Sequence, residues 1–132
     1  RDVYKRQLYD HGLGVAKDFS HAMQWYRKAY AAGSQAAAVN IGSLYQFGRG
    51  VKQDYREARR WYEGAARQGS AAAAYNLGYL HEAGLGVKTD PAQAEKWYLL
   101  AIERGDALAP KQLEALRARM PKHPGSENTT SR

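Results

Sequence analysis

Three groups of residues in this chain have types and spacings that suggest chemistry, and the first is a histidine followed by a glutamate. His81 and Glu82 begin the string HEAGL. A zinc-binding helix of the HExxH type needs a second histidine four residues after the first, where this chain has Leu85. The chain has no cysteine, and its other histidines have no partner at ligand spacing: His11, His21 and His123. We therefore expect neither a metal site nor a cofactor.

The second group is a glycine-rich string that resembles a phosphate-binding turn. It occurs as GLGV at 12–15, GRGV at 48–51 and GLGV at 84–87. A phosphate cradle uses a free helix N-terminus, but an aspartate follows each string and is expected to cap the next helix. Three copies of one loop also favour a turn over a site. Because the sequence shows no Ser/His/Asp or Cys/His grouping either, we expect no enzymatic activity.

The third group is a set of arginines that share one face of a predicted helix, Arg56, Arg59 and Arg60. An acidic partner or the backbone of RNA can dock on such a face. The alternative is a solvated face on which Glu63 pairs with Arg59 or Arg60. The formal charge of the chain is +7, but residues 8–110 hold 12 basic and 10 acidic residues. Most of the excess charge lies at the two ends, so nucleic acid is not the expected partner.

All three groups lie in a part of the chain whose sequence pattern repeats every 36 residues without insertion. A fixed period in this range predicts a stack of structural repeats, and such arrays usually bind other molecules rather than catalyse reactions. The equivalent positions include Gly12, Gly48 and Gly84; Asp18, Asp54 and Asp90; Trp25, Trp61 and Trp97; Tyr26, Tyr62 and Tyr98.

Each repeat is predicted to contain two helices. In the copy at 35–70, apolar residues at helical spacing follow the capping residue Ser34, and a second helix begins after Asp54. Glu57 completes a predicted capping box with Asp54. Gly42 and its equivalent Gly78 fall in mid-helix, which favours close approach of the paired helix. The repeated tryptophans and tyrosines are predicted to lie in the core.

The pattern A-x-x-LG-x-x-Y-x-x-G-x-GV-x-x-D-x-x-x-A-x-x-WY-x-x-A-x-x-G resembles the Sel-one-like repeat, a relative of the tetratricopeptide repeat. The resemblance covers residues 8–106. It implies an all-α fold, a right-handed α-solenoid of antiparallel helix pairs. It also implies an adaptor or scaffold that binds a protein or peptide in its concave groove.

The repeat pattern divides the chain into six segments. Residues 2–7 read DVYKRQ, which matches a translated sequencing adapter, and the repeat pattern is broken before Leu8. We therefore expect residues 1–7 to be an adapter artefact and the native N-terminus to be missing. The other predicted segments are a partial first repeat at 8–34, repeats at 35–70 and 71–106, a C-terminal capping helix at 107–120 and a disordered tail at 121–132.

The groove of such an array is lined by the first helix of each repeat. Amides recur at Asn40, Asn76 and Gln112, and an amide can both donate to and accept from a peptide backbone. The alternative is that these amides satisfy groups on neighbouring helices. The predicted peptide-binding residues are Asn40, Ser43, Gln46, Phe47, Asn76, Tyr79 and Glu82.

The sequence thus predicts a non-enzymatic protein-interaction module. Two alternatives remain, a fragment of a larger regulatory or secreted host-directed scaffold, and a weak binder of nucleic acid or an acidic partner through Arg56, Arg59 and Arg60. No apolar run approaches the roughly 20 residues that a membrane span needs. The compartment stays open between the cytoplasm and the periplasm or exterior.

Overall fold

The computed structural model describes residues 19–120, and every regular element in this part of the chain is an α-helix. From Gln35 onward, consecutive helices pack against each other, with Gln35–Phe47 and Tyr55–Arg67 forming one pair and Ala71–Ala83 and Pro91–Glu103 the next. The fold is therefore an α-helical solenoid, as predicted from the repeat pattern. Its helices are α1 (residues 19–31), α2 (Gln35–Phe47), α3 (Tyr55–Arg67), α4 (Ala71–Ala83), α5 (Pro91–Glu103) and α6 (Ala109–Arg119). The predicted adapter and tail lie outside the described residues.

The first helix of each complete repeat begins at a serine cap. Ser34 Oγ accepts a hydrogen bond from the backbone N–H of Ala37 at 3.1 Å, and Ser70 Oγ accepts one from Ala73 at 3.0 Å. These bonds satisfy N–H groups that have no partner within the helix. The serines therefore fix the start of α2 and α4 at equivalent positions.

The second helix begins at an aspartate, but the predicted capping box forms only in part. Asp54 Oδ1 accepts hydrogen bonds from the N–H groups of Arg56 and Glu57. The N–H of Asp54 itself donates to the carbonyl of Tyr45 at 2.9 Å, and Glu57 pairs with Arg60 instead. The start of α3 is thus held to the end of α2.

Two glycines explain why the paired helices lie so close together. A Cβ on Gly42 would lie 2.6 Å from a ring carbon of Tyr62, and a Cβ on Gly78 would lie 2.5 Å from Tyr98. Both tyrosines are fully buried. Each mid-helix glycine therefore makes room for the aromatic ring at the centre of its repeat.

The repeated tryptophans are less buried than the sequence pattern indicates. Trp61 and Trp97 are partly buried, whereas 71% of Trp25 is exposed. Trp61 packs edge-on against Tyr30 of α1, with ring centroids 4.9 Å apart. The prediction that all three tryptophans belong to the core is therefore wrong for Trp25.

The loop after each first helix crosses the start of the preceding repeat's second helix. Gly86 has φ +74°, and a Cβ at this position would lie 2.8 Å from the backbone of Tyr55. Only glycine fits both the left-handed conformation and the close approach. The loop at 84–88 consequently forms a wall beside the first turn of α3.

The terminal helix α6 packs on the last complete helix pair. Leu113 and Leu116 are buried and contact Tyr98 and Ala94 of α5. Asp106 Oδ1 accepts hydrogen bonds from residues 108 and 109, which forms a turn before the helix begins. The helix thus covers one end of the apolar stack with a largely polar outer face.

Candidate peptide-binding groove

A cavity of about 280 Å³ lies between the first helices of the two complete repeats. Helix α2 contributes one side, helix α4 contributes the other, and a tyrosine of α3 reaches in between them. The lining side chains are aromatic or uncharged and polar: Ser43, Gln46, Phe47, Tyr62, Tyr75, Asn76 and Tyr79. Five of the seven residues predicted from the sequence therefore surround one cavity.

The two predicted residues outside this cavity are Asn40 and Glu82. Asn40 is exposed on α2, whereas Asn76, at the equivalent position of α4, is half-buried and lines the cavity. The third recurring amide, Gln112, donates through Nε2 to Glu82 Oε1 at 3.1 Å. The three recurring amides therefore have different surroundings in the structure, although their positions in the repeat are equivalent.

Gln46 and Glu82 are held by hydrogen bonds that the sequence reasoning did not anticipate. The hydroxyl of Tyr62 donates to Gln46 Oε1 at 2.6 Å, and the hydroxyl of Tyr98 donates to Glu82 Oε1 at the same distance. Burial raises the pKa of both tyrosines well above the ordinary range, so the hydroxyls remain protonated donors. Gln46 therefore forms a fixed wall of the cavity.

Glu82 belongs to a polar cluster that joins α4 to the terminal helix. Its carboxylate accepts from Tyr98 and Gln112 and pairs with Arg119. This cluster bridges α4, α5 and α6. The open part of the groove consequently lies between α2 and α4.

Two tyrosines of the cavity were missed as site residues. The repeat pattern predicts only a core position for Tyr62 and no particular role for Tyr75. Tyr75 packs against Tyr98 with centroids 5.8 Å apart, and burial, followed by the charge of Asp106, raises its pKa. Tyr75 and Tyr79 lie four residues apart on one helix, and this spacing is the signal that places both rings on one face.

The mouth of the cavity carries exposed aromatic surface. Phe47 is 55% exposed and Tyr79 is 39% exposed. The guanidinium of Arg49 lies over the Phe47 ring, 5.0 Å from its centroid. Exposed aromatic side chains around a pocket are typical of surfaces that bind another protein.

The predicted basic face lies apart from this groove, on α3. Arg59 pairs with Glu63 at 3.5 Å, and Arg60 pairs with Glu57 at 3.6 Å. Both ion pairs are typical of a solvated helix face. The pair between Arg59 and Glu63 belongs to the alternative prediction, in which these arginines lie on such a face and do not bind a partner. Arg56 forms no ion pair within residues 19–120.

Residues 19–120 contain no cluster of three or more side chains suited to hold a metal ion. His81 Nδ1 is buried without a hydrogen-bond partner in this part of the chain. Burial lowers the pKa of His81, so the neutral ring is favoured. None of the helices in the described residues is both long and apolar enough to cross a membrane.

Sequence and structure comparisons agree on one family. The Sel1 repeat matches residues 7–34, 35–70 and 71–106. Among curated proteins, none matches this chain. A solved Sel1 repeat protein from Oxalobacter formigenes is 42% identical, with a TM-score of 0.68 over 81% of this chain and 44% of that one.

Two further solved structures are similar. A protective antigen of uropathogenic Escherichia coli, which displays the same repeat fold, is 33% identical, with a TM-score of 0.73 over 87% of this chain and 25% of that one. Cysteine-rich protein B of Helicobacter pylori is 31% identical, with a TM-score of 0.64 over 69% of this chain and 68% of that one. This chain thus spans less than half of the first two relatives.

Sel1-repeat proteins generally act as non-catalytic scaffolds for protein interactions. The family match covers three consecutive repeats, and the solved relatives share both sequence and fold with this chain. The chain therefore belongs to the Sel1 repeat family.

Proposed function

We propose that this chain is a peptide-binding module whose ligand lies along α2 and α4 and inserts an uncharged side chain between them. The observation that carries the proposal is the cavity of about 280 Å³ with its aromatic and uncharged lining. A protein partner is the general expectation for the family, and the cavity supplies a place for one of its side chains.

The chemistry of the lining supports an apolar side chain in the cavity. No charged residue within the described part of the chain lines it, and transferring an unpaired charge into such a site is costly. Phe47 and Tyr79 at the mouth, with Tyr75 beside them, offer ring surface to an aromatic, aliphatic or proline side chain. We therefore expect the bound segment to present one such residue.

Polar groups beside the cavity supply contacts for the ligand backbone. The amide of Asn76 and the hydroxyl of Ser43 both donate and accept hydrogen bonds. Gln46 holds its place through Tyr62, so the wall that it forms need not be ordered when a peptide binds. Asn40 and Glu82 lie outside the cavity and are not expected to contact the inserted side chain.

A peptide library displayed on phage and selected against the protein tests this proposal. We expect the selected peptides to share an uncharged apolar residue, and their affinity to fall about tenfold or more in Tyr79→Ala, since aromatic residues at the centre of an interface dominate binding. Leu99→Ala is the matched control, because Leu99 is an exposed apolar residue of α5 outside the cavity. Equal affinities of Tyr79→Ala and the parent would overturn the proposal.

A second candidate function is that this chain forms part of a larger secreted scaffold that acts on a host. One similar protein is a protective antigen present in uropathogenic Escherichia coli strains, and this chain covers 25% of it. The test is to express the complete gene in its own organism and locate the product. Its appearance outside the cell supports this candidate, and retention in the cytoplasm contradicts it.

A further inference from the structure

A second cavity, of about 640 Å³, lies beside the first turn of α3. Its opposite wall is the loop at 84–88, which Gly86 brings against the backbone of Tyr55. It shares no lining residue with the groove between α2 and α4. This site is therefore built by the contact between two repeats and is separate from the proposed peptide groove.

Basic side chains outnumber acidic ones around this cavity. Arg56, Arg59 and Arg60 come from α3, and Lys88 comes from the loop of the next repeat. The arginines were predicted as a basic face, but the sequence did not indicate that Lys88 joins them. Four cations thus face two carboxylates, which belong to Asp54 and Glu57.

Both carboxylates already have partners within the protein. Asp54 accepts the N–H groups at the start of α3, and Glu57 pairs with Arg60. Arg59 pairs with Glu63, while Arg56 and Lys88 form no ion pair in the part of the chain that the structure describes. An anionic ligand therefore meets two exposed cations that pair with no carboxylate within residues 19–120.

We propose that this cavity binds a short acidic segment of a partner protein, with Arg56 and Lys88 as its principal contacts. The proposal rests on charge complementarity and on the shape of the cavity, and it is independent of the groove between α2 and α4. Side-chain carboxylates of aspartate or glutamate are the complementary groups, since arginine binds them with paired hydrogen bonds and lysine as a point charge.

Two observations favour an acidic peptide over RNA or DNA. Among residues 19–120, no aromatic side chain lines the cavity, so this part of the chain offers no surface there on which a base can stack. The repeat at 35–70 holds six basic and three acidic residues, but the repeat at 71–106 holds three basic and five acidic residues. A long polyanion that continued onto the next repeat would meet like charge, whereas a short acidic segment would not.

Fluorescence anisotropy with a labelled hexaglutamate peptide tests this proposal. We expect the double variant Arg56→Gln with Lys88→Gln to bind about fivefold or more weakly at about 50 mM salt, since each exposed ion pair contributes a modest part of the affinity. Binding to the parent should weaken as the salt is raised to about 200 mM. The groove variant Tyr79→Ala should bind as the parent does.

The control is the double variant Lys96→Gln with Lys111→Gln. It removes the same charge from two exposed lysines that line neither cavity. Its affinity should stay within about twofold of the parent. Equal weakening of both double variants would show that net charge alone attracts the peptide and would overturn the proposal. Failure to bind hexaglutamate, or tighter binding of hexauridylate RNA through the same two residues, would overturn it as well.

Discussion

The hydroxyl of Tyr62 donates a 2.6 Å hydrogen bond to Oε1 of Gln46, and the same bond recurs 36 residues later between Tyr98 and Glu82. Each bond joins the end of a repeat's first helix to the middle of its second. In the repeat at 35–70 it also fixes a wall of the candidate groove. The core of the repeat and the shape of the binding surface therefore depend on the same contact.

Removing this hydroxyl should destabilise the protein and loosen the groove. Tyr62→Phe leaves the buried Oε1 of Gln46 without its donor, and we expect a loss of about 1–3 kcal/mol in the free energy of unfolding. Tyr55→Phe is the control, because its hydroxyl accepts from Gln53 at an exposed site and should change stability by less than about 0.5 kcal/mol. Urea unfolding of both variants measures the difference. Equal stabilities would contradict the account.

The mid-helix glycine should not tolerate alanine, although alanine favours helices. In Gly42→Ala the new methyl group meets the Tyr62 ring at 2.6 Å, and we expect a loss of about 1–3 kcal/mol. Gly64→Ala is the control, because beyond the local helix backbone no described atom lies within 4 Å of its added Cβ. Helix propensity should make that variant about 0.5–1 kcal/mol more stable than the parent. A stabilising effect of both substitutions in thermal unfolding would show that the helices do not pack as described.

The recurrence of these features shows what the sequence could establish about the fold. Serine and aspartate caps, glycine positions and the 36-residue period are local or periodic signals, and all of them appear in the helices observed. The exposure of Trp25 could not be predicted from such local or periodic signals. Burial of each tryptophan depends on the repeat that it covers, and the three residues look identical in sequence.

The sequence could predict which face of the helical array carries the candidate site, but not which residues of that face line the cavity. Helical spacing placed Ser43 and Phe47 on the same surface as Asn76 and Tyr79, and all four line one cavity. Spacing could not separate Asn40 from Asn76, because their positions are equivalent and only the neighbouring side chains differ. The position of Lys88 beside α3 was not foreseen either, since it depends on how one repeat stacks on the next.

The tryptophans at equivalent positions should contribute unequally to stability. Trp61→Ala removes a ring that packs on Tyr30, and we expect a loss of about 3 kcal/mol. Trp25→Ala should cost less than about 0.5 kcal/mol, because 71% of that side chain is exposed. Chemical unfolding followed by circular dichroism distinguishes the two. A larger loss for Trp25→Ala than for Trp61→Ala would contradict the described stacking.

Stability should decline in mild acid because of His81. Burial lowers the pKa of its ring below the ordinary 6.5; the charge of Asp90 opposes this shift, Arg59 adds to it and Glu63 opposes it. As the pH falls below 6.5, the unfolded chain binds a proton that the folded chain resists, so the free energy of unfolding decreases until the folded pKa is reached.

A variant at the same position isolates this effect. His81→Tyr places at this site the residue that the preceding repeat carries at Tyr45, and it removes the titrating ring. The difference in unfolding free energy between parent and variant should therefore change between pH 7.5 and about pH 5.5, with the parent losing more. Parallel curves for the two proteins would contradict a neutral, partly buried histidine.

The proposed groove is tested most directly by nuclear magnetic resonance of the side-chain amides during titration with a peptide selected from the library. We expect the amide signals of Asn76 and Gln46 to shift as the peptide binds, because both residues line the cavity. The signal of Asn40, which is exposed outside the cavity, should remain within the shift seen for the distant amide of Gln68. Shifts confined to Asn40, or to residues around Arg56 and Lys88, would contradict binding between α2 and α4.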